Sequence, residues 1–98
     1  MGDLDQLEIG NIKIPNRVLM APLSGISDKP FRRLAKLYNA GLVFSEMIAS
    51  KEMIRKSRHA ERKSIICEEK GPIAVQLAGV DAEIMAEAAR ILVDRGAN

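Results

Sequence analysis

Polar side chains that could bind a ligand fall near the carboxyl ends of three predicted strands. Gln76 interrupts an apolar run over residues 72–79, and its amide can donate and accept hydrogen bonds at once. Ser45 and Glu46 lie toward the end of a second apolar run, residues 42–48. A third run, residues 18–21, leads through Pro22 into a turn of small residues, 23–27. Because α/β folds bind ligands at the carboxyl ends of their strands, this pattern predicts a ligand site at those ends.

Each of these groups also has a purely structural explanation. The turn at residues 23–27 could be an ordinary connection that binds nothing. Gln76 could be an amide inside a buried strand whose hydrogen bonds are satisfied by the protein. Glu46 could orient the turn or a ligand, or it could be paired with a neighbouring cation. The residues alone leave these alternatives open.

Two other reactive side chains are isolated in the sequence. Cys67 is the single cysteine, which excludes an internal disulfide and a cysteine-based metal site. We expect it to pack in or near a core. His59 has no companion His, Cys or Asp at metal-ligand spacing, which indicates a surface histidine. We therefore predict no metal site.

Strands and helices alternate in the predicted structure. Residues 7–9 and 12–14 alternate apolar and polar around Gly10-Asn11, which is typical of a β-hairpin. The unbroken apolar run at 18–21 suits a strand that is buried on both faces of a parallel sheet. Asp28 is a good N-cap for a helix over residues 29–39, and Gly41 suits its C′ position. Asp81 is expected to cap a helix over 82–95, with an apolar stripe at Ile84, Ala88, Ile91 and Leu92.

Composition places the chain among ordinary globular proteins. It has 98 residues, of which 47% are hydrophobic and 29% are charged, and a net charge of +2. This length allows one small domain at most. No apolar run approaches the ~20 residues of a membrane span, and the first residues lack the features of a signal peptide. We therefore predict a cytoplasmic protein without membrane association.

The most basic part of the chain is residues 49–63. It contains six basic and two acidic side chains, and a short helix plus a loop is expected there. The six cations could contact phosphates of a nucleic acid, which is an electrostatic and salt-sensitive interaction. A solvated charged face is the usual alternative. The six are Lys51, Arg55, Lys56, Arg58, Arg62 and Lys63.

Residues 16–32 carry a family resemblance. Asn-Arg-Val-Leu-Met-Ala-Pro, at 16–22, resembles the first strand of FMN-dependent TIM barrels in general. The continuation at 23–32, Leu-Ser-Gly-Ile-Ser-Asp-Lys-Pro-Phe-Arg, resembles the Met-Ala-Gly-Val-Thr-Asp-x-Pro-Phe-Arg signature of tRNA-dihydrouridine synthases, and is nearest to their bacterial DusB branch. Residues 42–47 and 75–79 agree with the same family.

The resemblance implies an α/β fold that comprises the first three βα units of a TIM (β/α)8 barrel, preceded by the short hairpin. Residues 1–98 would then be part of an FMN-binding barrel domain, because a complete barrel takes roughly 250 residues. Enzymes of this family reduce the C5=C6 bond of uridine in tRNA. NADPH reduces the FMN, hydride passes from the flavin to C6, and a cysteine protonates C5.

The resemblance also assigns individual residues. Pro22, Leu23 and Ser24 match the loop that cradles FMN from one side, and Gln76 matches the amide at the edge of the isoalloxazine ring. The family more often has Met at position 23 and Ala at 24, so side-chain packing on the ring would differ here. The catalytic cysteine lies in an Asn-x-Gly-Cys-Pro motif that this sequence lacks, and Cys67 does not match it. No catalytic residue is therefore assigned, and we expect these 98 residues alone to be inactive.

Two rival functions remain open. Another FMN barrel, such as a dihydroorotate dehydrogenase-like enzyme, would explain residues 16–22 but not 27–33. A truncated, non-catalytic remnant would explain the length. Since the phosphate site of TIM barrels usually follows strands seven and eight, we expect the chain alone to bind FMN weakly or not at all.

Overall fold

Short strands and helices alternate in the computed structural model, which describes residues 6–64, 66, 69 and 71–98. The elements are β1 (Leu7–Ile9), β2 (Ile12–Ile14), α1 (Lys29–Leu37), β3 (Val43–Phe44), β4 (Ile48–Ala49), α2 (Ser50–Arg55), α3 (Arg58–Lys63), β5 (Ile73–Ala74), β6 (Leu77–Ala78) and α4 (Ala82–Asp94). This mixed α/β order agrees with the predicted class. The predicted core position of Cys67 lies outside the described residues.

The predicted hairpin is confirmed. β1 and β2 pair antiparallel with Leu7 opposite Ile14 and Ile9 opposite Ile12. Gly10 has a φ of 60°, which a residue without a Cβ adopts at little cost. The strands are therefore joined by the two-residue turn that the sequence indicates.

Three stretches of chain pair in parallel, as the sequence predicts. Leu19 forms a parallel bridge with Leu42, β3 pairs with β5, and β4 pairs with β6. The expected burial of residues 18–21 on both faces is wrong, because Val18 is 62% exposed and Leu19 is 44% exposed. A strand is buried on both faces only where other elements cover both, and no described part of the chain covers these two side chains.

The predicted second strand, 42–48, is interrupted by one extra residue. Val43 pairs with Ile73, thirty positions further on, whereas Ile48 pairs with Leu77, twenty-nine further on. The stretch between β3 and β4 is therefore one residue longer than the stretch opposite, which is the definition of a β-bulge. Val43 is buried before the bulge and Ile48 after it, so both strand segments reach the core.

Helix α1 begins where the sequence predicts and ends earlier. Asp28 caps it by accepting a hydrogen bond from the Phe31 amide at 3.1 Å. The predicted C′ role of Gly41 is wrong, because Asn39 has the left-handed conformation with a φ of 73°. Gly41 instead lies against Asn16, with no room for a side chain. Asparagine tolerates this conformation better than most residues, so the helix can end two residues earlier.

Residues 49–63 are more regular than the predicted helix plus loop. They form the end of β4 followed by helices α2 and α3. Met53 of α2 is fully buried with Ile48, Ala60, Ala88 and Leu92 in the larger core cluster. The basic surface is therefore attached to the core through α2.

Helix α4 completes this core. Asp81 caps it as predicted, accepting from the Ile84 amide at 3.1 Å. Ala88 and Leu92 of the predicted stripe are buried, and Ile84 and Ile91 are half-buried. A second core cluster consists of Val43 from β3, Ile73 from β5 and Ile66. The two clusters fix the strands whose carboxyl ends carry the polar groups.

Candidate flavin-binding site

The loop at residues 22–28 is closed on itself. The carbonyl oxygen of Leu23 accepts from the amides of Ile26 at 3.0 Å and Ser27 at 2.8 Å. The Ser27 hydroxyl donates to the same oxygen at 3.0 Å and accepts from the Leu23 amide at 2.9 Å. Ser27 is fully buried, and Gly25 has a φ of 73°. The backbone is therefore held in one shape before any ligand binds.

Glu46 supports the loop from the neighbouring strand end. Its Oε1 accepts a hydrogen bond from the Gly25 amide at 2.8 Å. No ion pair joins Glu46 to a cation in the part of the chain that the structure describes. Of the two roles that the sequence leaves open, the structure favours orientation of the loop. The bulge between β3 and β4 contains Glu46, and bulges often re-aim a side chain beside a functional site.

One backbone amide of the loop has no hydrogen-bond partner among the described residues. Pro22 has no N–H, and the amides of Leu23 and Gly25 are bound to Ser27 and Glu46. Ser24 is exposed, and its amide has no hydrogen bond to any described residue. Within residues 22–25, Ser24 therefore offers the available backbone donor.

Gln76 lies between β5 and β6 and is exposed. The expectation that it interrupts a continuous buried strand is wrong, because the strand is divided at this point. Its backbone is bound on both sides. The amide donates to Ser45 Oγ at 3.1 Å, and the carbonyl accepts from the Ile48 amide at 2.9 Å. Its side-chain amide forms no hydrogen bond with the described chain and is available to a ligand.

Hydrogen bonds connect the three strand ends. The loop is bound to Glu46 through Gly25, and Ser45 donates its hydroxyl to the Glu46 carbonyl at 2.9 Å while it accepts from the Gln76 amide. These hydrogen bonds place the loop, Ser45, Glu46 and the Gln76 backbone side by side. The sequence does not directly reveal the hydrogen-bonding roles of Ser45 and Ser27, although Ser45 lies toward the end of an apolar run and Ser27 ends the turn of small residues.

The base of the loop is fixed by a buried arginine that the sequence reasoning also missed. Arg32 Nη1 donates to the Ser27 carbonyl at 2.7 Å. Its Nε donates to Glu69 Oε1 at 2.8 Å, and its Nη2 lies 2.6 Å from the same oxygen. Arg32 lies in the helix α1, and the Pro-Phe-Arg motif was the available signal, since a buried arginine needs a partner.

Residues 22–25 and Gln76 form what we call the rim. Two concave surfaces are lined by other residues. A groove of about 230 Å³ lies at the carboxyl ends of β4 and β6, lined by Ala49, Ser50, Lys51, Ala78, Gly79, Val80, Asp81, Ile84 and Met85. A larger concavity of about 730 Å³ lies along α1, with Glu69 in its wall and neither Ser24 nor Gln76. The available hydrogen-bonding groups at Ser24 and Gln76 lie outside the linings of both concave surfaces.

The six cations of residues 49–63 differ in their contacts. Lys63 Nζ donates to the Met47 carbonyl at 3.2 Å, and Arg55 Nη1 lies 3.5 Å from Glu52 Oε1. The side chains of the remaining four form no ion pair or hydrogen bond with the described chain and are exposed: Lys51, Lys56, Arg58 and Arg62. These four are the cations most available to an anionic partner.

Metal ligands and membrane spans are both absent from the described residues. These residues contain no group of three or more His, Cys, Asp or Glu side chains arranged to hold a metal ion. Among the same residues, no helix has the length and hydropathy needed to cross a bilayer.

Comparison with known proteins identifies the family. The family model described as "Dihydrouridine synthase (Dus)" matches residues 19–98. The chain belongs to the dihydrouridine synthase family. The resemblance seen in the loop motif is therefore confirmed over most of the chain.

Individual dihydrouridine synthases match over nearly all of these residues. A probable tRNA-dihydrouridine synthase of Rickettsia bellii is 47% identical over 92 residues, which cover 93% of this chain and 28% of the relative. The tRNA-dihydrouridine synthase B of Pasteurella multocida is 41% identical over 91 residues, 93% of this chain and 27% of the relative. That of Vibrio vulnificus is 37% identical over the same share of this chain, and 28% of its own length is covered.

The chain spans less than a third of the length of these curated relatives. No solved structure gives a significant match. The cofactor, the substrate and the partners of the whole protein are therefore matters of proposal.

Proposed function

We propose that this chain is the N-terminal part of an FMN-dependent tRNA-dihydrouridine synthase, and that its strand ends hold the flavin. The observation that carries the proposal is the set of available hydrogen-bonding groups at the rim. A loop fixed by Ser27 and Glu46 presents a free amide at Ser24, and hydrogen bonds connect it to Gln76, whose side chain is also free. A heteroaromatic ring with donors and acceptors on one edge fits such groups.

The residues of the rim have distinct roles in this proposal. Pro22 and Leu23 form the wall of the loop, and the exposed Leu23 side chain packs on the flavin ring. The Ser24 amide donates to a ring acceptor, and the Gln76 amide pairs with the ring edge. When bound, FMN supplies the redox chemistry that NADPH drives and that reduces uridine. The chain supplies position, because the rim contains no side chain suited to protonate C5.

The tRNA partner is proposed from the basic segment. Lys51, Lys56, Arg58 and Arg62 are exposed and available to phosphates. Arg55 is also exposed but faces Glu52, and Lys63 is bound to Met47, so these two are expected to contribute less. A uridine must leave its stack to reach a flavin, and phosphate contacts nearby would hold the RNA while it does so.

The barrel, its location and the activity of the isolated chain are part of the same proposal. The parallel pairing of Leu19 with Leu42, of β3 with β5 and of β4 with β6 supports the proposed barrel, because the first three strands of a (β/α)8 barrel also run parallel. We place the protein in the cytoplasm with its tRNA. These 98 residues alone are proposed to be inactive and to bind FMN weakly or not at all.

The test uses the product of the complete reading frame that contains this chain. We expect it to purify with bound flavin and to form dihydrouridine in tRNA from a strain that lacks the modification, when NADPH is supplied. Gln76→Leu should weaken flavin binding by about tenfold or more. Gln6→Leu is the matched control, because Gln6 is the other glutamine of the chain and is exposed beside β1. A product that binds no flavin, or one that reduces a small molecule and leaves tRNA unchanged, would overturn the proposal.

The proposed contact between the exposed cations and tRNA has its own test. Arg58→Gln and Arg62→Gln should each reduce the salt dependence of tRNA affinity by about one unit of slope. Lys13→Gln, on the exposed side of β2, is the control and should leave the slope unchanged. Equal effects at all three positions would mean that α3 is not the contact surface.

A further inference from the structure

Arg32 and Glu69 form a buried ion pair beneath the loop. Their side chains are 3% and 2% exposed. Burying a charged pair costs solvation that its attraction often only balances, so stability alone is a weak reason for this pair. Its geometry suggests another reason, since the third contact of Arg32 is the Ser27 carbonyl at 2.7 Å.

We propose that Arg32 is a positioning residue for the flavin loop and that Glu69 sets its orientation. The proposal rests on the proposed function only in naming flavin as the ligand. The guanidinium is a planar fork with donors in fixed directions. Two of them, Nε and Nη2, converge on Glu69 Oε1, and this fixes the plane in which Nη1 reaches Ser27.

Ser27 transmits this position to the ligand-facing part of the loop. Its amide and hydroxyl hold the Leu23 carbonyl, and its hydroxyl also accepts from the Leu23 amide. Ser24, with the free amide, follows directly. A series of short contacts therefore runs from Glu69 through Arg32 and Ser27 to the proposed flavin donor, although Glu69 lies 37 positions from Arg32 in the sequence.

The chemistry of the pair explains why other residues would not replace it. Lysine is a single point charge on a flexible stem and cannot hold two partners in a fixed plane. Glu69 Oε1 receives both contacts, whereas Oε2 has no hydrogen-bond partner. A glutamine at 69 keeps a carbonyl oxygen for Arg32 and should preserve the arrangement. An alanine removes it.

The first test needs no flavin. In ¹⁵N-labelled chain we expect Glu69→Ala to move the amide resonances of Ser24 and Gly25, and Glu69→Gln to leave them close to their wild-type positions. Glu61→Ala is the matched control, because it removes a carboxylate from a different arginine pair, with Arg95 at 3.0 Å. Unmoved loop resonances in Glu69→Ala, or equal movement in Glu61→Ala, would overturn the proposal.

Two further measurements cover the case in which Glu69→Ala does not fold. The Arg32 Nε–H of the wild-type chain should give a resolved, slowly exchanging signal, and rapid exchange would contradict a fixed guanidinium. Arg32→Lys, whose folding is followed by circular dichroism, should move the same loop resonances if it folds.

The affinity for flavin then separates the proposed function from the proposed positioning role of Arg32. In the product of the complete reading frame, Glu69→Ala should raise the dissociation constant for FMN about tenfold, and Glu69→Gln should restore it. If the wild-type product binds no flavin, the proposed function fails while the loop resonances still decide the role of Arg32. If flavin binds equally well to both variants, Arg32 is not a positioning residue for it.

Discussion

Substitution of Gly41 by alanine tests how closely residues 16–20 lie against residues 41–42. Gly41 donates to the Val18 carbonyl at 2.8 Å, and Met20 donates to the Leu42 carbonyl at 2.9 Å. A Cβ at position 41 would lie 2.5 Å from Asn16 Oδ1 and 2.8 Å from the Asn16 carbonyl oxygen. An ordinary contact begins at 3.4 Å, so these atoms would have to move by about 0.9 and 0.6 Å.

The Asn16 side-chain amide is held by hydrogen bonds at both its oxygen and its nitrogen. Oδ1 accepts from the Val18 amide at 2.9 Å, and Nδ2 donates to the Asn39 carbonyl at 2.8 Å. Overpacking of this kind costs about 1–3 kcal/mol. Loss of glycine freedom in the unfolded chain offsets about 0.4–1 kcal/mol. We expect a net loss of about 1–2 kcal/mol, with a fall in Tm of about 4–8 °C for each kcal/mol.

Urea unfolding measures this loss, and the Asn16→Ala background provides the control. Asn16→Ala removes Oδ1, so Gly41→Ala should cost less there, with a coupling energy of at least ~0.5 kcal/mol. A loss below ~0.5 kcal/mol in the wild-type background, or none of this coupling, would refute the steric argument.

Three further predictions concern single side chains. Glu46→Ala should cost ~1 kcal/mol and move the amide resonance of the loop glycine that it binds, whereas the Gln variant should cost less because it keeps an acceptor. Met53→Ala should lower the free energy of unfolding by ~2–5 kcal/mol, since this side chain is fully buried, whereas Met47→Ala should cost little because Met47 is exposed. Arg95, which hydrogen-bonds Glu61, lowers the pKa of that carboxyl. The folded pKa lies below the unfolded one, so the stabilisation is present at neutral pH and is lost as pH falls through the folded pKa. The stability difference between wild type and Glu61→Gln should therefore shrink in acid, as measured by urea unfolding across that range.

Short-range sequence patterns predict the helices, the hairpin and the residues at which the helices begin. Asp28 and Asp81 were predictable as caps because an N-cap interacts with residues only three positions away. The hairpin was predictable for the same reason, since Gly10 and its flanking strands are contiguous. The family resemblance added the loop and Gln76 as candidate site residues, and the structure shows hydrogen-bonding groups available at Ser24 and Gln76.

Contacts between distant residues could not be predicted from the sequence. The end of α1 was misplaced because Gly41 is the usual residue after a helix, but here it is needed for close approach to Asn16. Arg32 in α1 pairs with Glu69, 37 positions further along the chain, and no local pattern indicates which residue is its partner. Exposure of Val18 was also unpredictable, because an apolar run shows that a strand can be buried and does not show what covers it.

The bulge between β3 and β4 has a consequence for insertions and deletions in this chain. Val43 pairs with a residue thirty positions further along the chain, whereas Ile48 pairs with one twenty-nine positions further along. Loss of one residue between Ser45 and Ile48 would restore a constant register with β5 and β6. The core could thus be built from a chain one residue shorter. The additional residue lies in the segment that contains Glu46, whose carboxylate accepts from the Gly25 amide, so a deletion there is expected to displace this contact with the loop.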